Sequence, residues 1–379
     1  MASPRRHPRA TVATIDRAAL RANLAEAVRH AGGRELIAVV KADAYGHGAV
    51  LVARTLAAAG CRRFAVVTLG EAIELRDAGI DESILLLGGV SDREEAREVL
   101  ARGVTPVVHD ERDVDLLAEA ADRTRMRVGV QVELDTGMHR MGAAPDDAVP
   151  LLERVAGEPA LRVAGCFTHL ARADEPDLGP SLQQISCFRE LLRQARRRGI
   201  EPGEVHVANS AALLVGNALR AVLPEATAVR PGLMLYGVLP APHLSANLRP
   251  VMTLRTRVKL VRRVRAGEGV GYAALYRPKQ DTRIATLPAG YADGVPVATS
   301  NRGEVLIGAR RFPIVGRVSM DSVTVDVGDS GVAPGDEAIF FGTGDRGALP
   351  VAEAARAADT LSYELLVRVG SRVPRVAIG

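Results

Sequence analysis

Long apolar runs, cysteine and lysine are all scarce in this chain, and each scarcity narrows what it can be. No stretch of about 18 consecutive apolar residues occurs, the length that a membrane-crossing helix requires, and the basic string MASPRRHPRA is not followed by the apolar core of a secretory signal. Cysteine is limited to Cys61, Cys166 and Cys187, an odd and widely spaced set with neither disulfide-framework nor zinc-ligand spacing. The expectation is a soluble cytoplasmic protein with reduced thiols. The 49 basic residues include only Lys41, Lys259 and Lys279 as lysine. Arginine thus supplies the bulk positive charge, and a retained lysine draws interest for what arginine cannot do: a guanidinium stays protonated and cannot attack a carbonyl. A net charge of +4 from 49 basic and 45 acidic residues, interspersed along the chain, leaves no nucleic-acid footprint.

A chain of 379 residues with 47% hydrophobic content can bury sizeable cores and has the length of two domains. Thr11 to Ile15 reads as an opening strand. A helix follows, capped by Asp16 and closed at Gly32, with Leu20, Leu24 and Val28 on one face. Apolar or β-like runs then recur near residues 36–40, 63–67, 83–87, 104–108, 126–134, 160–167, 204–207 and 227–230, and nearly all are followed by a helical pattern. That alternation predicts an α/β chain whose N-terminal part is a (β/α)8 barrel. The competing doubly wound sheet would carry Gly-x-Gly-x-x-Gly after its first strand, and none is present. After about residue 245 the texture changes to short strands broken by Gly and Pro, so a mostly-β C-terminal domain is expected. The predicted division is a basic tail at 1–11, a barrel at 12–244 and a β domain at 245–379.

Barrel function gathers where strands end, and five predicted strand ends carry reactive groups. The run Leu36 to Val40 ends in Lys41, followed by Tyr45-Gly46-His47-Gly48, which reads as opening the next helix with amides and a hydroxyl that could hold an anion. The run at 126–134 leads to His139 and Arg140, the run at 160–167 to Thr168 and His169, the run at 204–207 carries His206 and precedes Ser210, and the last leads to Arg230, Gly232 and Leu233. On residue chemistry alone each has an ordinary reading: Lys41 as a solvated strand-end lysine, His169 as a structural histidine, Arg140 as an ion-pair arginine. Five on one rim weaken that reading. A lysine desolvated at a strand mouth drops in pKa and becomes a nucleophile.

The string AVVKADAYGHG resembles the cofactor-lysine motif of alanine racemases, and LDTGMHRMG, FTHLARADE, HVANSAA, VRPGLMLYG, GVGYAALY, GYADG, GRVSMD and LSYELL are similar to the same family in order and spacing. The resemblance covers nearly the whole chain. It implies pyridoxal 5'-phosphate as cofactor, carried on Lys41, and a cytoplasmic homodimer that interconverts L- and D-alanine for cell-wall peptidoglycan. It assigns one base to Lys41 and the other to Tyr272 reaching in from the second subunit's β domain. His169 and Arg230 would favour the Tyr272 phenolate, Arg230 would also face the pyridine nitrogen, and His206 would support it. Arg140 would hold the cofactor's phenolic oxygen and the substrate carboxylate, joined by the Met320 amide. Tyr45, Ser210, Gly232, Leu233 and Tyr363 would hold the phosphate, Tyr291 would line the entry, and Asp321 would be a supporting residue.

Two positions depart from the family pattern. Glu133 stands where many members carry a lysine that becomes carbamylated, and strand alternation turns it inward with Gly129 and Gln131, so it is expected to pair with Arg140. Val297 stands where an arginine is frequent at the channel mouth, which widens the possible substrates to serine or another small amino acid. A related decarboxylase would bring a cysteine from the C-terminal domain, but all three cysteines precede residue 190. A non-catalytic pyridoxal-phosphate-binding barrel would lack the β half that carries Tyr272 and Met320.

Overall fold

The computed structural model describes residues 9–379 apart from 125, 126, 217, 218, 220 and 222, so most of the expected tail, and residue 126 of one expected strand, lie outside it. Two compact units are present. One comprises residues 20–44 and 49–248; the other comprises residues 9–19, 45–48 and 249–379.

In the first unit the apolar runs become β2 (Glu35–Leu36), β3 (Ala38–Val39), β4 (Arg63–Val66), β5 (Ser83–Leu86), β6 (Thr105–Val108), β7 (Val128–Glu133), β8 (Leu161–Phe167), β9 (Glu204–His206) and β10 (Ala228–Val229). All pairings are parallel, in the order β2-β10-β9-β8-β7-β6-β5-β4-β3. The two ends of that order, β2 and β3, are halves of one chain segment parted at Ile37, and this closes the sheet into a barrel. The run expected as a single strand splits because it changes partner: Ile37 N–H donates to Val229 O, whereas Val40 N–H donates to Ala65 O. Ile37, Ala38 and Val40 are fully buried, as a strand covered on both faces requires.

Helix α1 (Arg17–Ala31) starts where expected, with Asp16 Oδ1 accepting from Ala19 N–H at 2.9 Å. Its buried stripe is Leu20, Leu24, Ala27 and Ala31, and Val28 is 54% exposed. Steps of four, three and four residues follow one face of a 3.6-residue helix, and a further step of four from Leu24 leaves it.

The second unit holds two sheets. Strands β1 (Val12–Asp16), β11 (Met252–Arg257), β12 (Leu260–Val264), β13 (Thr282–Leu287), β14 (Glu304–Ile307), β15 (Arg310–Pro313), β16 (Val323–Asp326), β17 (Glu337–Gly344), β18 (Gly347–Leu349) and β19 (Arg375–Ile378) build them. The larger has the order β15-β14-β17-β11-β1-β19 with β18 on β17; the smaller is β12-β13-β16. Strand β1, which the span 12–244 places with the barrel, belongs here: it pairs antiparallel with β11 and parallel with β19. Its inward residues Ala13 and Ile15 are fully buried, and the Thr11 hydroxyl bonds Thr256 at 2.9 Å. Nothing in a five-residue strand read by itself names its partner.

Candidate active site

Past Val40 the backbone reverses its hand. Ala42, Asp43, Ala44 and Tyr45 have φ of 53°, 53°, 51° and 54°, so Lys41 opens a left-handed turn that runs to Gly46. L-residues resist this by roughly 1–2 kcal/mol each, and the surroundings hold the turn. Glu71 Oε1 accepts from Ala42 N–H at 2.6 Å, Val40 O from Ala44 N–H at 2.9 Å, and Asp43 Oδ1 from Ala49 N–H at 2.7 Å. The Tyr236 hydroxyl anchors the strand end by donating to Val39 O at 2.8 Å. The next helix opens at Ala49, not at the Tyr45–Gly48 string. Gly46 is required, since a Cβ there would lie 2.4 Å from Leu366 O. Ala42→Gly at the exposed start of the turn is expected to be neutral or to stabilise by up to about 1 kcal/mol in urea denaturation, whereas the same change inside a right-handed helix costs about that much.

The Lys41 side chain is half-buried, and its pKa lies below the ordinary lysine value, chiefly through burial and then through the Arg140 charge, with Glu71 opposing. Arg230, just past β10, is buried, and burial lowers its pKa to about 10 against the pull of Glu133 and Glu204. Four of its five N–H bonds are occupied: Nη1 donates to His206 Nδ1 and, at 3.2 Å, to His206 O, while Nη2 donates to Thr168 O at 2.8 Å and Val207 O at 3.5 Å. Among the described residues Nε–H has no partner. The guanidinium also lies 4.7 Å over the Phe167 ring, which stacks on His206. His169 is brought down to about 3 by burial and then by Arg230, Arg140 and Lys41, so its imidazole is neutral. Every charge acting on it is positive.

Ser210 opens the helix Ser210–Val215, capped by Asn209. Its buried hydroxyl accepts from Gly232 N–H at 2.9 Å and Met234 N–H at 3.3 Å, stitching that helix start to the turn that begins at Leu233. In the other unit the Tyr45 and Tyr363 rings lie 6.1 Å apart, and burial pushes the Tyr45 hydroxyl well above its usual pKa, which keeps it a neutral donor.

Glu133 is buried and inward-facing as expected, but its partner is His109: Oε2 lies 3.1 Å from His109 Nε2. Asp113 Oδ2 lies 3.3 Å from His109 Nδ1 on the other side. Arg140 is exposed and has no ion pair among the described residues. The loop between explains why. Asp135 Oδ1 gathers the N–H groups of Gly137, Met138 and His139, His139 turns left-handed at φ 52°, and Arg140 follows exposed and unpaired with Glu133, near enough for its charge to act on Lys41, His169 and Arg230. The strand-end reading of the sequence passes over His109, although it too follows a barrel strand, in TPVVHD.

In the β unit Tyr272 is 68% exposed at a tight turn whose next residues, Ala273 and Ala274, are left-handed. Met320 is 51% exposed on a loop held from behind: Tyr291 N–H donates to Ser319 O and Ala292 N–H to Met320 O at 3.0 and 3.1 Å. Gly290 allows that approach, because a Cβ would meet Ser319 O at 2.2 Å. Asp321 is tied to Arg372 at 2.7 Å. Tyr291 and Val297 border an open groove with Asp359, Glu364 and Arg368.

A parallel barrel with a β unit in the same chain is an architecture of amino-acid racemases, and the sequence comparisons give the family. Residues 15–240 match the alanine racemase N-terminal domain and residues 251–377 the alanine racemase C-terminal domain. The chain is 40% identical over 378 residues to an alanine racemase of Sorangium cellulosum, covering 97% of this chain and 98% of the relative. The crystal structure of alanine racemase from D-cycloserine-producing Streptomyces lavendulae aligns with TM-score 0.92 and 38% identity over 98% of both chains. The Bacillus anthracis alanine racemase with bound L-Ala-P aligns with TM-score 0.89 and 32% identity, over 98% of this chain and 96% of that one. This chain belongs to the alanine racemase family.

Proposed function

We propose that this protein interconverts L- and D-alanine with pyridoxal 5'-phosphate at the C-terminal end of the barrel strands. The observation that carries the reading is the convergence of Lys41, Arg140 and Arg230 on a neutral His169, a setting that favours an anionic ligand beside a desolvated amine. The donor set fits the cofactor. The Ser210 hydroxyl, which accepts from Gly232 and Met234 N–H and keeps its own proton to donate, and the Leu233 amide suit its phosphate. Arg230 Nε–H is the donor left for a ring nitrogen. When bound, the cofactor acts as an electron sink that makes the alanine Cα proton removable.

Lys41 Nζ, its pKa lowered, takes or returns that proton on one face. Oη of Tyr272 of the partner subunit does so on the other, as phenolate when it takes the proton and as hydroxyl when it returns one. Arg230 stays cationic and cannot release its proton, so it leaves the ring nitrogen unprotonated and the sink weak, which favours racemisation over transamination. Neutral His169 assists the tyrosine by hydrogen bonding rather than by charge. Arg140, exposed in the single chain, is available to the substrate carboxylate. Tyr272 and Met320 stand 68% and 51% exposed on the β unit, free to reach a second subunit, which supports a homodimer with shared sites. In this reading the protein works in the cytoplasm and supplies D-alanine for peptidoglycan.

The test is a racemisation panel over small L-amino acids. Alanine is expected to have the highest kcat/KM. A protein that exchanges no Cα proton with any of them would be a binding barrel instead.

A further inference from the structure

Below Arg230 a file of polar side chains runs through the barrel interior toward the N-terminal ends of the strands. His206 Nε2 lies 3.2 Å from Gln131 Oε1, and Gln131 Nε2 donates to Glu204 Oε2 at 3.0 Å. Glu204 is forked by Arg63, whose Nη2 donates at 2.7 Å and whose Nη1 also reaches Glu35 at 3.0 Å. Gln131 and His206 are 3% and 0% exposed. Room is made for the amide: the β7–β8 register slips so that Gly165 stands opposite Gln131, and a Cβ on Gly165 would lie 2.1 Å from Gln131 Oε1.

The sense of every bond in this file is fixed from both ends. Arg230 can only donate, so His206 Nδ1 must accept, and a neutral ring then carries its proton on Nε2. Burial, followed by the Arg230 and Arg63 charges, drives His206 far below its ordinary pKa and keeps it neutral. Its Nε2–H needs an acceptor, which is Gln131 Oε1, and this turns the amide N–H₂ toward Glu204. A carboxylate bound to Arg63 can only accept.

We propose that Gln131, Glu204 and Arg63 are positioning residues for Arg230, forming a one-way hydrogen-bond relay that holds His206 as an acceptor at Nδ1. The relay deepens the reading in which Arg230 meets the cofactor ring, but its first test does not depend on that reading. In cofactor-free protein labelled with 15N-histidine, His206 should appear as the Nε2–H tautomer throughout the folded pH range. Gln131→Leu removes the acceptor and should give a mixed or shifted imidazole signature, with pyridoxal phosphate bound about 10–100-fold more weakly by absorbance titration.

Gln131→Glu alone sets two carboxylates together and should be at least as damaging. The swap Gln131→Glu with Glu204→Gln keeps an acceptor for His206 and restores a donor–acceptor match between the two positions. It should recover the imidazole signature, and affinity to within about 5-fold, as a coupled pair does in a double-mutant cycle. A purely volumetric role would give no such rescue. A wild-type His206 protonated on Nδ1, a Gln131→Leu protein with unchanged signature and affinity, or a swap no better than Gln131→Glu would each overturn the relay. Failure of wild-type protein to bind pyridoxal phosphate, with the tautomer intact, would instead overturn the cofactor reading.

Discussion

Lys41→Ala is expected to lower racemisation by at least about 10³-fold, because the proposed mechanism gives this position both the cofactor's attachment and one of two bases. Borohydride reduction of the wild-type holoenzyme should fix the pyridoxyl label on Lys41. Label on Lys259 or Lys279 would undo the assignment. Tyr272→Phe should be nearly as inactive toward one enantiomer. Mixing the two inactive proteins under subunit exchange should return activity, since one hybrid site then holds both Lys41 and the partner subunit's Tyr272. Hybrids that form and remain inactive would mean that the sites are not shared.

The second large effect is on stability. Burial by itself would lower the His109 pKa, but hydrogen bonds and charges from Asp113 and Glu133 outweigh it and raise the value from 6.5 to about 9. A cation gained on folding stabilises most where both states could hold the proton, below about pH 6.5. It contributes on the order of 3 kcal/mol there, and the contribution disappears as pH rises through about 9. His109→Gln should therefore be much less stable than wild type in urea at pH 6, with the gap narrowing steadily toward pH 9.5. A gap that is constant or widens with pH would mean that His109 is neutral in the folded protein.

The barrel is legible in the sequence because its strands are covered on both faces and so read as apolar runs, from Phe64–Val66 in β4 to the short β10, Ala228–Val229. The strand-end residues follow directly from those runs. Other features are hidden for physical reasons. The left-handed turn is spelled Ala-Asp-Ala-Tyr, which by propensity reads as ordinary helix, and what holds it comes from Glu71 and Tyr236, far along the chain. Alternation turns Glu133 inward, but its choice of His109 over Arg140 depends on how the Asp135 loop folds. The same alternation puts Gln131 on the inner face, yet its link to Glu204 needs the register slip opposite Gly165, which no local pattern records.

The turn after Lys41 also bears on the order of assembly. Four residues held against their preferred hand cannot nucleate by themselves, and the tyrosine that anchors the strand before them, Tyr236, lies 197 positions beyond Val39. During synthesis Lys41 emerges long before Tyr236, so the bond that anchors the strand end ahead of it can form only after most of the barrel sequence has been made.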